Sequence, residues 1–195
     1  MKKLSLIMMA GLSVLAFQAC NNAAKDNKTA DSASTVKDTA AMNTSTSWST
    51  TADYTDAQFA TTAAKDGAAE VNAGKLAEGK TTNPRVKSFA EMMVTDHTKA
   101  GDELAALAKS KNFTFPNEPD TAAQKKAAML SSLSGKAFDK AYVAAMVDGH
   151  KKAVKLFTDA SQNCKDADLK AFAAKTLPTL KMHLDSITAL QASIK

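Results

Sequence analysis

The sequence predicts an all-α four-helix bundle whose second and third long helices are joined by a long crossover containing a short helix. Three observations point to it. Four long segments each carry an unbroken apolar stripe in alternating steps of three and four, and no period-two strand pattern competes with them. The three histidines and one glutamate fall on these stripes, one per segment and near each midpoint. The connection between the second and third segments is longer than a hairpin needs. It is about what is required to return along a helix of roughly 40 Å.

The bundle does not begin at the first residue. Residues 1–19 open with Lys2 and Lys3, continue as an apolar run from Leu4 to Phe17, and end in small Ala19 before Cys20. That is the pattern of a secretory signal peptide. The cysteine at the cleavage point resembles a lipobox, which implies acylation of Cys20, and Phe17-Gln18 makes the match a loose one. Plain secretion with cleavage near Ala19 is the alternative. Residues 20–52 form a linker of Asn, Ala, Thr, Ser, Lys and Asp, with almost no large apolar residue before Trp48. Such a composition cannot bury enough surface to offset its ordering entropy. As a flexible coil it would hold the bundle, residues 53–195, on the order of 30 Å from its anchor.

The first long helix opens at Thr55, where Thr55-x-x-Gln58 forms a capping box flanked by Tyr54 and Phe59. Its stripe is Phe59, Ala63, Asp66, Glu70, Ala73 and Ala77. Gly67 and Gly74 lie beside it, and each costs roughly 1 kcal/mol of helix propensity. Close approach of a neighbouring helix would account for them. Asn83 caps the second helix and Pro84 takes its first position, where a missing N–H is harmless. Its stripe is Val86, Ala90, Met93, His97, Ala100, Leu104 and Leu107. The crossover is a Pro-containing loop from Asn112 to about Pro119, then a short helix carrying Met129, Leu130 and Leu133, broken by Ser134-Gly135.

The third long helix runs from about Lys136 to Gln162 with the stripe Asp139, Val143, Met146, His150, Ala153, Phe157 and Ala160. It repeats the second: Met93-Val94-x-x-His97-x-Lys99-Ala100 returns as Met146-Val147-x-x-His150-x-Lys152-Ala153. The fourth helix starts near Asp166 or Asp168 with the stripe Leu169, Ala173, Thr176, Leu180, His183, Ile187, Leu190 and Ile194. Pro178 inside it removes one backbone hydrogen bond and should kink it.

In a bundle of helices of equal length the centres share one level, whichever way each helix points. Glu70, His97, His150 and His183 therefore converge in one layer about 10 Å across. Three imidazoles and a carboxylate suit one transition-metal ion such as Zn, Fe or Cu. Met93 and Met146 lie one turn away and would favour a soft ion, although filling core space is the more ordinary use of methionine. Asp96, Asp148, Asp185 and Tyr142 are near enough in sequence to orient the rings. A buried histidine on an apolar stripe also serves as a hydrogen-bonding core residue, which is the competing explanation for each one taken singly.

Removing residues 1–19 takes away Lys2 and Lys3 and lowers the formal charge from +5 to +3. That is too mild, and too free of basic–aromatic clusters, to indicate nucleic acid. No second apolar run is long enough for a transmembrane helix. The other cysteine, Cys164, lies near a helix end and reads as structural rather than nucleophilic. No nucleophile elbow or Gly-rich phosphate loop is present, so the sequence supplies no catalytic residue and no reaction.

Phe59, Glu70-Val71, Gly74-x-Leu76-Ala77, Val86-x-x-Phe89-Ala90-x-x-Met93-x-x-Asp96-His97, Phe138-Asp139-x-x-Tyr142, His150 and Leu177-Pro178-x-Leu180-x-x-His183-Leu184 together resemble a ferritin-like family of exported bacterial proteins filed as a domain of unknown function. Its members are often labelled outer-membrane or periplasmic proteins. The resemblance covers about residues 53–193. It implies a ferritin-like bundle and no established reaction. The wider ferritin-like group holds two irons with paired Glu-x-x-His motifs. Here Val94, Val147 and Leu180 occupy the glutamate positions, so a di-iron centre is disfavoured and a mononuclear one fits better. The expectation is an envelope lipoprotein, anchored more naturally to the outer membrane, with one metal ion in its core. The alternative is an envelope scaffold or interaction module with structural histidines and no metal.

Overall fold

The computed structural model describes residues 56–115 and 120–194. The signal peptide, Cys20, the linker and the capping pair Tyr54 and Thr55 lie outside the described residues. The helices are α1 (Asp56–Lys80), α2 (Pro84–Ser110), α3 (Thr121–Ser132), α4 (Gly135–Asn163) and α5 (Ala167–Ser193). All of the described secondary structure is helical. The long helices and the short crossover helix are those the stripes predict, with ends within a residue or two.

Local chemistry sets the helix starts. The Asn83 side chain accepts from the Arg85 N–H at 3.0 Å, with Pro84 at the first position. Asp120 accepts from the Ala123 N–H at 2.7 Å. Asp166 accepts from the N–H groups of Asp168 and Leu169, each at 3.0 Å. Each such cap contributes about 1 kcal/mol. Gly135, with φ of +55°, turns the chain from α3 into α4 in a conformation that L side chains avoid. The helix α5 continues through Pro178. The carbonyl that loses its donor there belongs to exposed Ala174, where water can satisfy it.

Contacts at the ends give the helix directions. Buried Asp56, at the start of α1, accepts from the Lys165 and Asp166 N–H groups in the α4–α5 turn, at 2.9 and 2.7 Å. At the opposite end Lys80 donates to the carbonyls of Ser131 and Leu133, and Thr81 donates to Asp139 at 2.6 Å. Thus α1 runs antiparallel to α4. The short turns after α1 and α4 reverse the chain, so α2 runs parallel to α4 and α5 parallel to α1. Lys111, just past α2, pairs with Asp166 and Asp168 at the start of α5, which agrees. The helices α1 with α2, and α4 with α5, pack most extensively; α1 also meets α4, and α2 meets α5. The crossover therefore returns the chain along the bundle, as its length required.

Two apolar clusters fill the interior. One, around Val86, Phe89, Met93, Phe138, Tyr142 and Ile187, occupies the end where α2 and α4 begin. The other, around Phe59, Leu104, Phe157, Leu169 and Phe172, occupies the opposite end. The stripe assigned to α4 is buried throughout. On α1 the outcome differs: Asp66 is exposed, and Gly74 takes the interior place expected for larger residues. In α3 only Leu130 is buried, while Met129 remains 49 % exposed.

At Gly74 the backbone of α1 lies close against α2. A Cβ there would lie 2.9 Å from Val94 Cγ2 and 3.1 Å from the Ala90 carbonyl oxygen. At Gly67 the nearest atom would be His97 Nδ1 at 3.9 Å, an ordinary contact. Gly74→Ala is therefore expected to lower stability by about 1–3 kcal/mol, because overpacking outweighs the gain in propensity. Gly67→Ala should be neutral or stabilising by up to about 1 kcal/mol. Urea unfolding of the two variants side by side measures the contrast; equal effects would show that helix approach is not what keeps Gly74.

Candidate metal centre

Between the two apolar clusters the four long helices bring together Glu70 from α1, His97 from α2, His150 from α4 and His183 from α5. All four are buried; His150 and His183 have no exposed surface. The ring centroids stand 5.5 Å apart for His97–His150, 5.5 Å for His97–His183 and 5.4 Å for His150–His183. One ring nitrogen from each lies within 4.8 Å of one from each of the others. Tetrahedral coordination at about 2.0–2.1 Å would need each ring to move inward by on the order of 1 Å.

Each ring has one nitrogen engaged and one free of any protein partner. His97 Nδ1 meets Glu70 Oε2 at 3.2 Å. His150 Nδ1 lies 2.9 Å from the Met146 carbonyl oxygen and 3.5 Å from Glu70 Oε1. Since a carbonyl only accepts, His150 Nδ1 carries the hydrogen and its Nε2 keeps a lone pair. His183 Nε2 donates to Asp96 Oδ2 at 2.9 Å, which leaves the lone pair on Nδ1. The buried nitrogens without a protein partner are His97 Nε2, His150 Nε2 and His183 Nδ1. Leaving a buried polar atom unpaired costs roughly 1–3 kcal/mol. Three imidazoles whose ring nitrogens come within 4.8 Å of one another, each with one buried nitrogen left without a protein partner and the other engaged, suit a metal site.

Burial keeps the cluster uncharged. Desolvation, aided by Asp66, pushes the Glu70 carboxyl up to about 8. Desolvation and the two neighbouring imidazoles push His97 down to about 3. Desolvation, opposed by the bond to Met146, takes His150 down to about 4. His183 is also held below its ordinary value by desolvation, opposed by Asp96. At pH 7 the rings are neutral and present lone pairs, the form a metal requires.

The residues expected from sequence divide clearly. Glu70, His97, His150 and His183 do meet at one level, with Glu70 set against Nδ1 of both His97 and His150. Asp96 orients a ring, and the ring is His183 on another helix rather than its neighbour His97. Asp148 and Asp185 are exposed. Tyr142 is fully buried, stacked on Phe138 with centroids 6.0 Å apart, and its hydroxyl has no protein partner. Met93 and Met146 are buried in the apolar cluster beside the layer, and Met146 contributes its carbonyl.

Two contributors escaped the sequence. A Cβ at Gly149 would fall 2.6 Å from Glu70 Oε1, so this glycine makes the space that the carboxyl occupies. Its signal was a glycine in mid-helix, at a cost of about 1 kcal/mol, immediately before His150. Phe89 covers the layer from one side, with its ring 6.2 Å from His150 and 6.4 Å from His183. Nothing in its sequence context distinguishes it from any other core phenylalanine.

Comparison with known proteins agrees with the fold. A family model described as "Domain of unknown function (DUF4142)" matches residues 39–190. The chain is similar in structure to a DUF305 fragment from Deinococcus radiodurans, at a TM-score of 0.63 and 14 % identity, covering 71 % of this chain and 95 % of that one. It is also similar to a DUF305 protein from Streptomyces coelicolor, at a TM-score of 0.62 and 15 % identity, covering 71 % and 91 %. At these identities the likeness is one of fold. No curated protein matches.

The buried neutral groups set the pH dependence of the metal-free protein. Between pH 6.5 and the lowered folded values, the unfolded chain binds more protons at its histidines, so stability falls as pH falls. Glu70 acts oppositely: between 4.5 and about 8 the folded state holds the extra proton, so stability falls as pH rises. With three rings against one carboxyl, stability should peak near pH 6.5 and be about 1–3 kcal/mol lower at pH 5. Glu70→Gln should remove the decline above pH 6.5. Urea midpoints from pH 5 to 8 in chelator measure both limbs; a flat profile would mean that the cluster is not held neutral.

Proposed function

The chain belongs to the DUF4142 family of unknown function, and we propose that it binds one transition-metal ion through His97 Nε2, His150 Nε2 and His183 Nδ1. The observation that supports this is a cluster of three buried imidazoles with ring nitrogens within 4.8 Å of one another, each keeping one nitrogen without a protein partner while the other is tied to Glu70, to the Met146 carbonyl or to Asp96. Neutral imidazoles from three helices suit Zn, Fe or Cu. Glu70 and Asp96 act in this reading by fixing ring orientation and raising ring basicity, rather than as further ligands. With three protein ligands, one coordination position stays available for a small molecule.

The location belongs to the same proposal. The basic and apolar start of the sequence and Cys20 argue for export with a lipid anchor, in the outer membrane of a bacterial envelope, and the polar linker for a domain held off the bilayer. No described helix is long and apolar enough to cross a membrane. The bundle is then a metal-binding module on a tether. A scaffold with purely structural histidines is the competitor, and metal uptake separates the two.

Metal-free protein titrated with Zn²⁺, Fe²⁺ and Cu²⁺ should take up one equivalent of at least one of them. His97→Ala, His150→Ala and His183→Ala should each abolish tight binding. Glu70→Gln and Asp96→Asn should keep the stoichiometry and weaken affinity about 10–100-fold. Calorimetry with metal analysis measures both quantities. Unchanged affinity in the His97 and His150 variants would overturn the site; absence of uptake would favour the scaffold. Separately, mass spectrometry of protein recovered from membranes should find Cys20 acylated, and unmodified secreted chain would refute the anchor.

A further inference from the structure

The histidine layer is packed shut on one side and borders a cavity on the other, at His97 and His183. Towards the start of α2 and α4, Phe89, Met93, Tyr142 and Met146 pack tightly against it, each 5 % exposed or less. Towards the other end lies a cavity of about 50 Å³. Small residues make it: Ala63 and Gly67 on α1, Ala100 and Gly101 on α2, and Ala153 on α4 leave room where larger side chains would fill the bundle. Its far wall is apolar, from Leu104, Phe157 and Phe172. At the layer it is bounded by His97, His183 and Glu70, and it reaches the surface beside exposed Asp66 and Gly101.

Size and charge limit what this cavity can take. One water needs roughly 10–15 Å³ measured this way, so the space holds about three to five atoms of that size and suits only a very small ligand. Its charged lining consists of Asp66 and Asp96, Glu70 beside them is held neutral by burial, and no lysine or arginine among the described residues lines it. Acidic groups at the mouth and an apolar wall disfavour a small anion and favour a neutral molecule. We propose that this cavity is a ligand chamber that delivers a neutral diatomic molecule to the available coordination position of an ion held by His97, His150 and His183. The inference rests on the metal reading above and adds to it the class of ligand and the route.

Nitric oxide is the probe, with azide as the anionic counterpart. Full-length protein is loaded without oxygen with whichever of Fe²⁺ and Co²⁺ it retains, both of which bind nitric oxide, and is followed by electron paramagnetic resonance and absorption. Nitric oxide should give a new metal–nitrosyl signal in the native protein, with azide binding weaker or absent. Ala100→Leu, which fills the chamber, should retain the metal and lose nitric oxide affinity at least about tenfold. Ala63→Leu, on a different helix, should do the same and serves if the first variant folds poorly. Retention of neither metal would overturn this reading, and failure to take up Zn²⁺ and Cu²⁺ as well would overturn the metal reading. Metal bound without nitric oxide binding, preference for azide, or native affinity in both folded variants would overturn the chamber reading alone.

Discussion

The rest of the structure depends on a constraint of solvation. An all-helical core satisfies its backbone internally and offers few spare donors or acceptors, yet this one encloses three imidazoles and a carboxyl. The groups can stay there only uncharged and mutually arranged, because burying an isolated charge costs far more than a small bundle can offset. The arrangement found meets that condition on one side of each ring. A carboxyl oxygen or a main-chain carbonyl engages one nitrogen of each ring, and the other is buried without a protein partner. Polar demand is thereby concentrated at a single point in an otherwise apolar interior.

The remainder of the fold keeps that point in place. Asp56 fastens the beginning of α1 to the α4–α5 turn, and Thr81 with Asp139 fastens the opposite end. With both ends fixed, sliding of one helix past another would break buried hydrogen bonds, so the histidines keep a common level. Gly74 and Gly149 set the spacing: the first lets α2 approach α1, and the second lets a carboxyl from α1 lie against α4. The apolar cluster where α2 and α4 begin then closes that side of the layer to solvent.

Much of this was legible before any coordinates. Helix number, order and boundaries follow from the stripes because a 3.6-residue period has one reading over such lengths. The common level of Glu70, His97, His150 and His183 follows from helix lengths alone. What periodicity does not encode is side-chain direction within the layer. Which ring nitrogen is engaged, and that Glu70 meets Nδ1 of two rings, depends on rotamers and on the space at Gly149. Asp96 pairing with His183 was hidden for a similar reason, since neighbourhood across helices is not neighbourhood in sequence. Asp66 was placed inside because a stripe of fixed period does not register which of its positions lie at the solvent edge of the helix face.

The crossover divides the chain into two hairpins, α1–α2 and α4–α5, and the histidines are shared between them: His97 on the first, His150 and His183 on the second. Short α3 contributes only Leu130 to the interior. A chain nicked in that connection would thus keep both halves of its donor set on intact hairpins. An ion common to the two would replace covalent continuity with coordination, much as a dowel joins two planks. Reassembly of the severed halves would then be governed by the ion's concentration rather than by the peptide bond.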